Sequence, residues 1–180
     1  FLQMRNQIIK SMLIIIFGFL FSIETSFSAE KNVQKCIKFS SIGLHLPAIE
    51  QCQKAMKDGA NREVELKLLY YLANSYSSIN NNEMAKEVIN RLLNTSPSIS
   101  ASDYYLAGLI EIKLNNNKDA AYYLEKAILG GEKSVNIKRQ LARALFQSGD
   151  IRKANLILTG NFYEDSSDTQ SMTQLSENLI

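Results

Sequence analysis

The stretch Tyr70-Tyr71-Leu72-Ala73-Asn74-Ser75-Tyr76, which runs on to Asn80-Asn81-Asn82 and then Ala85, decides the fold. Its opening recurs as Tyr104-Tyr105-Leu106-Ala107, 34 residues later, again ahead of a triple asparagine (Asn115-Asn116-Asn117) and an alanine, Ala120. Working outward, one spacing repeats: a small residue, a bulky apolar one three later, an alanine twelve later, and an apolar or thiol residue sixteen later. Cys36, Phe39, Ala48, Cys52 obey it, as do Ala73, Tyr76, Ala85, Ile89 and Ala142, Leu145, Ala154, Leu158. A third unit reads Ala107, Ile110, Ala120, Leu124 if one extra residue is admitted in its turn.

These spacings are those of helix faces, and alternating strand patterns are missing. Breaks fall at Gly43, Asp58-Gly59, the two triple asparagines, Pro97, Gly130-Gly131 and Gly149-Asp150, leaving pieces of ordinary helix length. A small residue on each of two antiparallel helices lets their backbones approach, and the bulky residues one turn away fill the space toward the next pair. One such pair cannot bury its second face alone, so pairs must stack. The expected fold is all-α, an α-solenoid of about four antiparallel helix pairs.

The residues resemble the tetratricopeptide repeat: Leu72-Ala73 with Tyr76, Ala85, Ile89 and Pro97, and Leu141-Ala142 with Leu145, Gly149-Asp150 and Ala154. The resemblance covers about residues 30 to 160. A related pattern, the Sel1-like repeat, also accommodates Ala120 to Ala127 with Gly130-Gly131. The sequence departs from the pattern at Asn32, where a large residue is expected, and three extra residues separate the first two units around Asn61 to Glu65. The resemblance implies a right-handed solenoid whose first helices line a groove that receives a peptide or a partner's helix. Helical spacing then selects Lys67, Tyr70, Asn74 and Ser77 from the second unit, Tyr104 and Glu111 from the third, and Arg139, Arg143 and Phe146 from the fourth. Tyr70, Tyr104 and Arg139, at steps of 34 and 35 residues, are expected to form one row of large side chains along it; the competing reading places the tyrosines in the packing between units. Lys86 and Asn90 are expected in solvent on the opposite face.

The N-terminal segment reads as an address. Arg5 and Lys10 precede an apolar run from Met12 to Phe21, too short for a bilayer that needs about 20 helical residues. It suits a secretory signal, with Ser26-Phe27-Ser28 before a cut at Ala29; an uncleaved anchor is the alternative. The expected organisation is therefore a signal peptide at 1–28, a repeat domain at 29–160 and an acidic tail at 161–180. The expected location is periplasmic or secreted, with membrane contact only through the signal peptide. Export makes an oxidised pair of Cys36 and Cys52 the favoured reading, since both occupy inward positions of the first helix pair; two reduced core thiols are the alternative.

In the tail no basic residue offsets Glu164, Asp165, Asp168 and Glu177, while Met172, Leu175 and Leu179 sit at i, i+3, i+7. Two readings stand: a short capping helix over the fourth unit, N-capped by Asp168, or an acidic segment that docks on a basic partner.

Chemistry-bearing residues are sparse. The 20 basic and 18 acidic side chains nearly cancel, which argues against nucleic acid as a partner. One histidine, His45 in the Gly43 to Pro47 turn, and two cysteines build neither a metal cage nor a nucleophile with its base. No catalytic residue, no metal site and no cofactor are expected. The function that fits is an exported protein–protein adaptor in bacterial envelope assembly or secretion. A second reading is an enzyme of cell-wall metabolism or its accessory subunit, which would need a paired-carboxylate cleft. A third is a purely structural solenoid buried in a larger complex.

Overall fold

The computed structural model of the chain describes residues 30–164, with side chains described to residue 160. Among them are eight helices: α1 at 30–41, α2 His45–Lys57, α3 Arg62–Ser78, α4 Asn82–Thr95, α5 Ala101–Lys113, α6 Asn117–Leu129, α7 Val135–Gln147 and α8 Ile151–Glu164. The described residues contain no strand, and no described helix is long and apolar enough to cross a membrane. The expected signal peptide and the part of the tail beyond Glu164 lie outside the described residues; α8 itself continues past residue 160.

The turns inside each helix pair share one construction. Gly43, Asn80, Asn115 and Gly149 take positive φ (80°, 61°, 59° and 94°), a region that glycine enters freely and asparagine tolerates better than other residues. Each follows the last turn of the first helix and closes it with two backbone bonds. The N–H groups of Leu44, Asn81, Asn116 and Asp150 donate to the carbonyls of Phe39, Tyr76, Glu111 and Leu145 over 2.8 to 2.9 Å. The left-handed residue's own N–H reaches the carbonyl one residue further along, as from Asn115 to Ile112 at 3.0 Å. This is the Schellman closure, which satisfies carbonyls the helix leaves without partners. Entry to the later helices is also capped. Ser100 and Asp103 exchange side-chain and backbone bonds as a capping box at α5, Asn81 caps α4, and Ser134 caps α7.

This geometry corrects the register of the third unit. The left-handed residue stands seven positions after Cys36, Ala73 and Ala142, and counting back seven from Asn115 reaches Gly108. Gly108 also restores the spacing to Ala120 and Leu124 without an extra residue in the turn. A Cβ at Gly108 would lie 2.7 Å from Leu124 Cγ and 3.4 Å from the Ala120 carbonyl oxygen, so α5 and α6 approach each other closely at this glycine. The extra residue lies ahead of α5: α4 has 14 residues where α6 has 13.

The chain forms two compact units that meet within α3, at Ser75 and Tyr76. In the first, Cys36 and Cys52 are joined by a disulfide, with Cα atoms 4.9 Å apart and both residues fully buried beside Ala48 and Ala55. Asn32, the departure noted at the start of the repeat, is buried there and donates to Asp58 at 2.8 Å. His45 opens α2 and is half-buried rather than lying in the turn. In the second unit, α4 packs on α5, α5 on α6, α6 on α7 and α7 on α8. Its core runs through Leu124, Ile137, Leu141, Leu145 and Leu158, spaced by Ala120, Ala142 and Ala154.

Candidate functional site

With Gly108 as reference, Tyr105, Leu109 and Ile112 become the exposed-side stripe of α5, equivalent to Arg139, Arg143 and Phe146 on α7. The two stripes meet at one end: Asn136, one turn before Arg139, donates from Nδ2 to the Tyr105 hydroxyl at 3.1 Å. Tyr105, Leu109, Ile112, Arg139 and Phe146 are half-buried and Arg143 is exposed, while Tyr105, Ile112 and Phe146 rest their inner edges on the core. The result is a face within the second unit that combines an aromatic and aliphatic half on α5 with a polar and cationic half on α7. Guanidinium groups beside rings recognise carboxylates through paired bonds while the rings supply apolar contact.

The residues expected on the groove divide accordingly. Arg139, Arg143 and Phe146 lie on this face. Tyr104 does not; it takes the position of Leu69 and Lys138, and its ring stacks on Tyr123 of α6 with centroids 6.4 Å apart. Within the second compact unit, the repeat position equivalent to Arg139 is held by Tyr105 and not by Tyr104. Glu111 is also off the face, at 3% exposure, because the corrected register puts it where the other units carry Phe39, Tyr76 and Leu145. Its carboxylate accepts from Lys86 Nζ at 3.0 Å and from Asn116 Nδ2 at 2.7 Å. Lys86, expected in solvent, is half-buried, and the bond to Glu111 raises its pKa. Burial, reinforced by the charges of Glu111 and Asp119, likewise raises the Tyr123 hydroxyl. Ser77 is buried, and its carbonyl accepts from Lys113 Nζ at 2.6 Å.

Lys67, Tyr70 and Asn74, from the second repeat, belong to the compact unit that ends at Ser75. Lys67 is exposed and pairs with Glu63 at 2.9 Å, an interaction that raises the lysine pKa and lowers that of the carboxylate. Tyr70 is half-buried with its ring edge-on to Tyr71, centroids 5.5 Å apart. Asn74 donates to Ser40 Oγ at 3.5 Å, and Ser75 Oγ donates to the same oxygen at 3.1 Å.

Sequence reasoning missed Tyr105, Leu109, Ile112 and Asn136. The signal that finds them is the turn: once Asn115 is recognised as the left-handed residue, the α5 stripe shifts by one, and Asn136 follows from Arg139 by helical spacing. Among the described residues no three of His, Cys, Asp and Glu converge as a metal site would require.

No family model matches the sequence, and no curated protein sequence is similar to it. Solved structures are similar in fold. A crystal structure of YrrB, described as a TPR protein with an unusual peptide-binding site, superposes with a TM-score of 0.76 at 19% identity, over 89% of this chain and 81% of that one. A crystal structure of MamA gives 0.73 at 17% identity, over 84% of this chain and 80% of that one. MamA from Desulfovibrio magneticus RS-1 gives 0.67 at 20% identity, over 78% of each. The shared turns, the small-residue approach of paired helices and these superpositions lead to one conclusion: the chain has the tetratricopeptide-repeat fold.

Proposed function

We propose that the chain is an exported protein-interaction adaptor, and that in its second unit it binds through the face formed by α5 and α7. The observation that carries this reading is the Tyr105–Asn136 bond, which joins two first helices whose outward stripes expose aromatic, aliphatic and guanidinium groups together. A face with Arg139 and Arg143 beside Tyr105 and Phe146 suits a partner segment that alternates carboxylates with apolar side chains. The likeness to YrrB, described as having an unusual peptide-binding site, supports a peptide or a helix as the ligand. The short apolar run and the small residues before Ala29 support export, and with it a role in scaffolding a bacterial envelope assembly or secretion process.

The test is a selection of peptides on the purified chain followed by affinity measurement on variants. Tyr105→Ala and Arg139→Ala each weaken the selected peptides by roughly 1–3 kcal/mol with the melting temperature nearly unchanged. Tyr104→Ala instead lowers stability and leaves the affinity of the folded fraction intact. Affinity that is indifferent to Tyr105 and Arg139 moves the binding face elsewhere. Mass spectrometry of the protein isolated from its native cell finds Ala29 at the N-terminus if the signal is cleaved as proposed, and an intact Met12 to Phe21 segment in the membrane if the chain is anchored instead.

A further inference from the structure

The turn that joins α1 to α2 departs from the other three in what it exposes. Around the left-handed Gly43, three large apolar side chains stand largely in solvent: Ile42 at 59%, Leu44 at 48% and Leu46 at 69%. An apolar residue just before the left-handed one recurs, as Ile79 and Leu114 show. The positions of Leu44 and Leu46 are different, for the other turns hold Asn81, Asn116 and Asp150 at the first and Glu83, Lys118 and Arg152 at the second. The polar residues at the first position have uses there. Asn81 and Asp150 cap the following helices by accepting from the backbone N–H groups of Met84 and Lys153, and Asn116 donates to Glu111. Leu44 stands at the N-cap of α2 and makes no such bond. A helix cap has been given up there for an apolar side chain that gains nothing from water.

We propose that this turn is a membrane-contacting tip, which dips Ile42, Leu44 and Leu46 into the interface of an anionic lipid surface. Size and charge both point to lipid rather than protein. The apolar group is three side chains within five residues at the end of a helix pair. A stable protein interface takes about 800 Å² and roughly 20–30 residues from each partner. A lipid surface asks for less, because a few apolar side chains at headgroup depth with basic residues around them give interfacial binding. The surround is basic: α1 and α2 carry five lysines and two glutamates, all exposed. One turn behind the tip stand Lys38 on α1 and Glu50 on α2, and of the five charges farther back four are lysines. The first turn of α2 has no acidic residue. Behind the tip the disulfide between Cys36 and Cys52 ties the two helices together, so the turn is presented on a braced stem. The tip thus gives a folded part of the chain a role at the membrane, which the sequence alone confines to the N-terminal segment.

The chain has no tryptophan, so Leu46→Trp places a single indole at the tip of the full chain. Glu83→Trp places one at the same position of the second pair, as a control. The probe is a vesicle of equal parts phosphatidylglycerol and phosphatidylcholine with brominated acyl chains, which quench an indole only at acyl depth. The expected result is a blue shift and quenching of Leu46→Trp, neither effect for Glu83→Trp, and loss of both on vesicles of phosphatidylcholine alone. Adding Leu44→Asn to Leu46→Trp restores a capping side chain, leaves the melting temperature no lower, and weakens vesicle binding read at the indole roughly tenfold, as half a leucine exchanged for an amide should. Adsorption through any other part of the chain leaves the tip indole unquenched and overturns the proposal. So does quenching that is equal on phosphatidylcholine alone, or binding that is indifferent to Leu44→Asn. A blue shift that appears without vesicles and grows with protein concentration assigns the tip to a second copy, and overturns it as well.

Discussion

The α1–α2 and α5–α6 pairs meet the same geometric demand by different chemistry. At the position where the first helix approaches the second, α1–α2 has Cys36 and α5–α6 has Gly108; sixteen residues on they have Cys52 and Leu124. In one pair the contact is a covalent bond. In the other a side chain is removed so that Leu124 fills the space a Cβ would need. The next inward position differs too: Phe39 in the first pair, and in the other a carboxylate held by Lys86 and Asn116. The comparison teaches that the fold specifies a distance rather than a residue. It also means that the two pairs fail under different stresses, the first under reductant and the second under added volume or a missing counter-charge.

Breaking the bond in the first pair has the largest effect. Closing a loop of 16 residues contributes about 3 kcal/mol in the chain-entropy account, so Cys36→Ser with Cys52→Ser lowers thermal stability by about that much, and reduction of the unaltered chain does the same. The doubly substituted chain then no longer responds to reductant. Next, Lys86→Met leaves the Glu111 carboxylate with only Asn116 and costs about 2 kcal/mol, below the value for a fully buried pair because Lys86 retains solvent contact. Adding Glu111→Leu to Lys86→Met recovers most of that loss, since the position then resembles Leu145; denaturant titration of the three variants checks the cycle.

Gly108→Ala sharpens the comparison on volume. Helix propensity gains nearly 1 kcal/mol, but the clash with Leu124 costs about 1–3, so the net is a loss of about 1 kcal/mol. Gly160→Ala, where a Cβ meets nothing within 4 Å, has the opposite sign. The smallest effect is on pH. Lys86 and Tyr123 both have raised values in the folded chain, so their contribution is complete below their ordinary values of 10.5 and 10.0 and is lost as pH rises through the raised ones. Melting temperature therefore falls in the alkaline range, and less steeply in Lys86→Met.

The helix pairs and their number were legible in the sequence because the alanine, bulky-residue and thiol spacings are set by packing and leave a direct trace. The disulfide was the favoured reading because the same spacing puts Cys36 and Cys52 at inward positions of paired helices and the expected export favours oxidation over two reduced thiols. The third unit was misread because Tyr104-Tyr105-Leu106-Ala107 copies Tyr70-Tyr71-Leu72-Ala73 so closely that it drew the register off Gly108 by one residue. Backbone conformation at Asn115 carries the correct register, and a left-handed asparagine is harder to recognise in a sequence than the glycines at Gly43 and Gly149. Glu111 was placed in solvent-facing company for a different reason: its partner Lys86 comes from another helix pair, and nothing local to either residue announces the bond.

The uniformity of the turns has a consequence for how such a chain changes length. Each of the four turns inside a pair has three residues and a fixed set of backbone bonds, so an inserted residue there breaks the closure. Between pairs the sequence has already taken up additions: α3 runs to 17 residues where α5 and α7 have 13, and α4 carries one more than α6. Lengthening a flexible connection costs little, about 0.6 kcal/mol per doubling. Insertional scanning of the gene should therefore recover folded protein from additions near Asn61 and Ser98 and lose it from additions at Asn80 or Asn115, a map of tolerance that follows the pairs rather than the burial of individual residues.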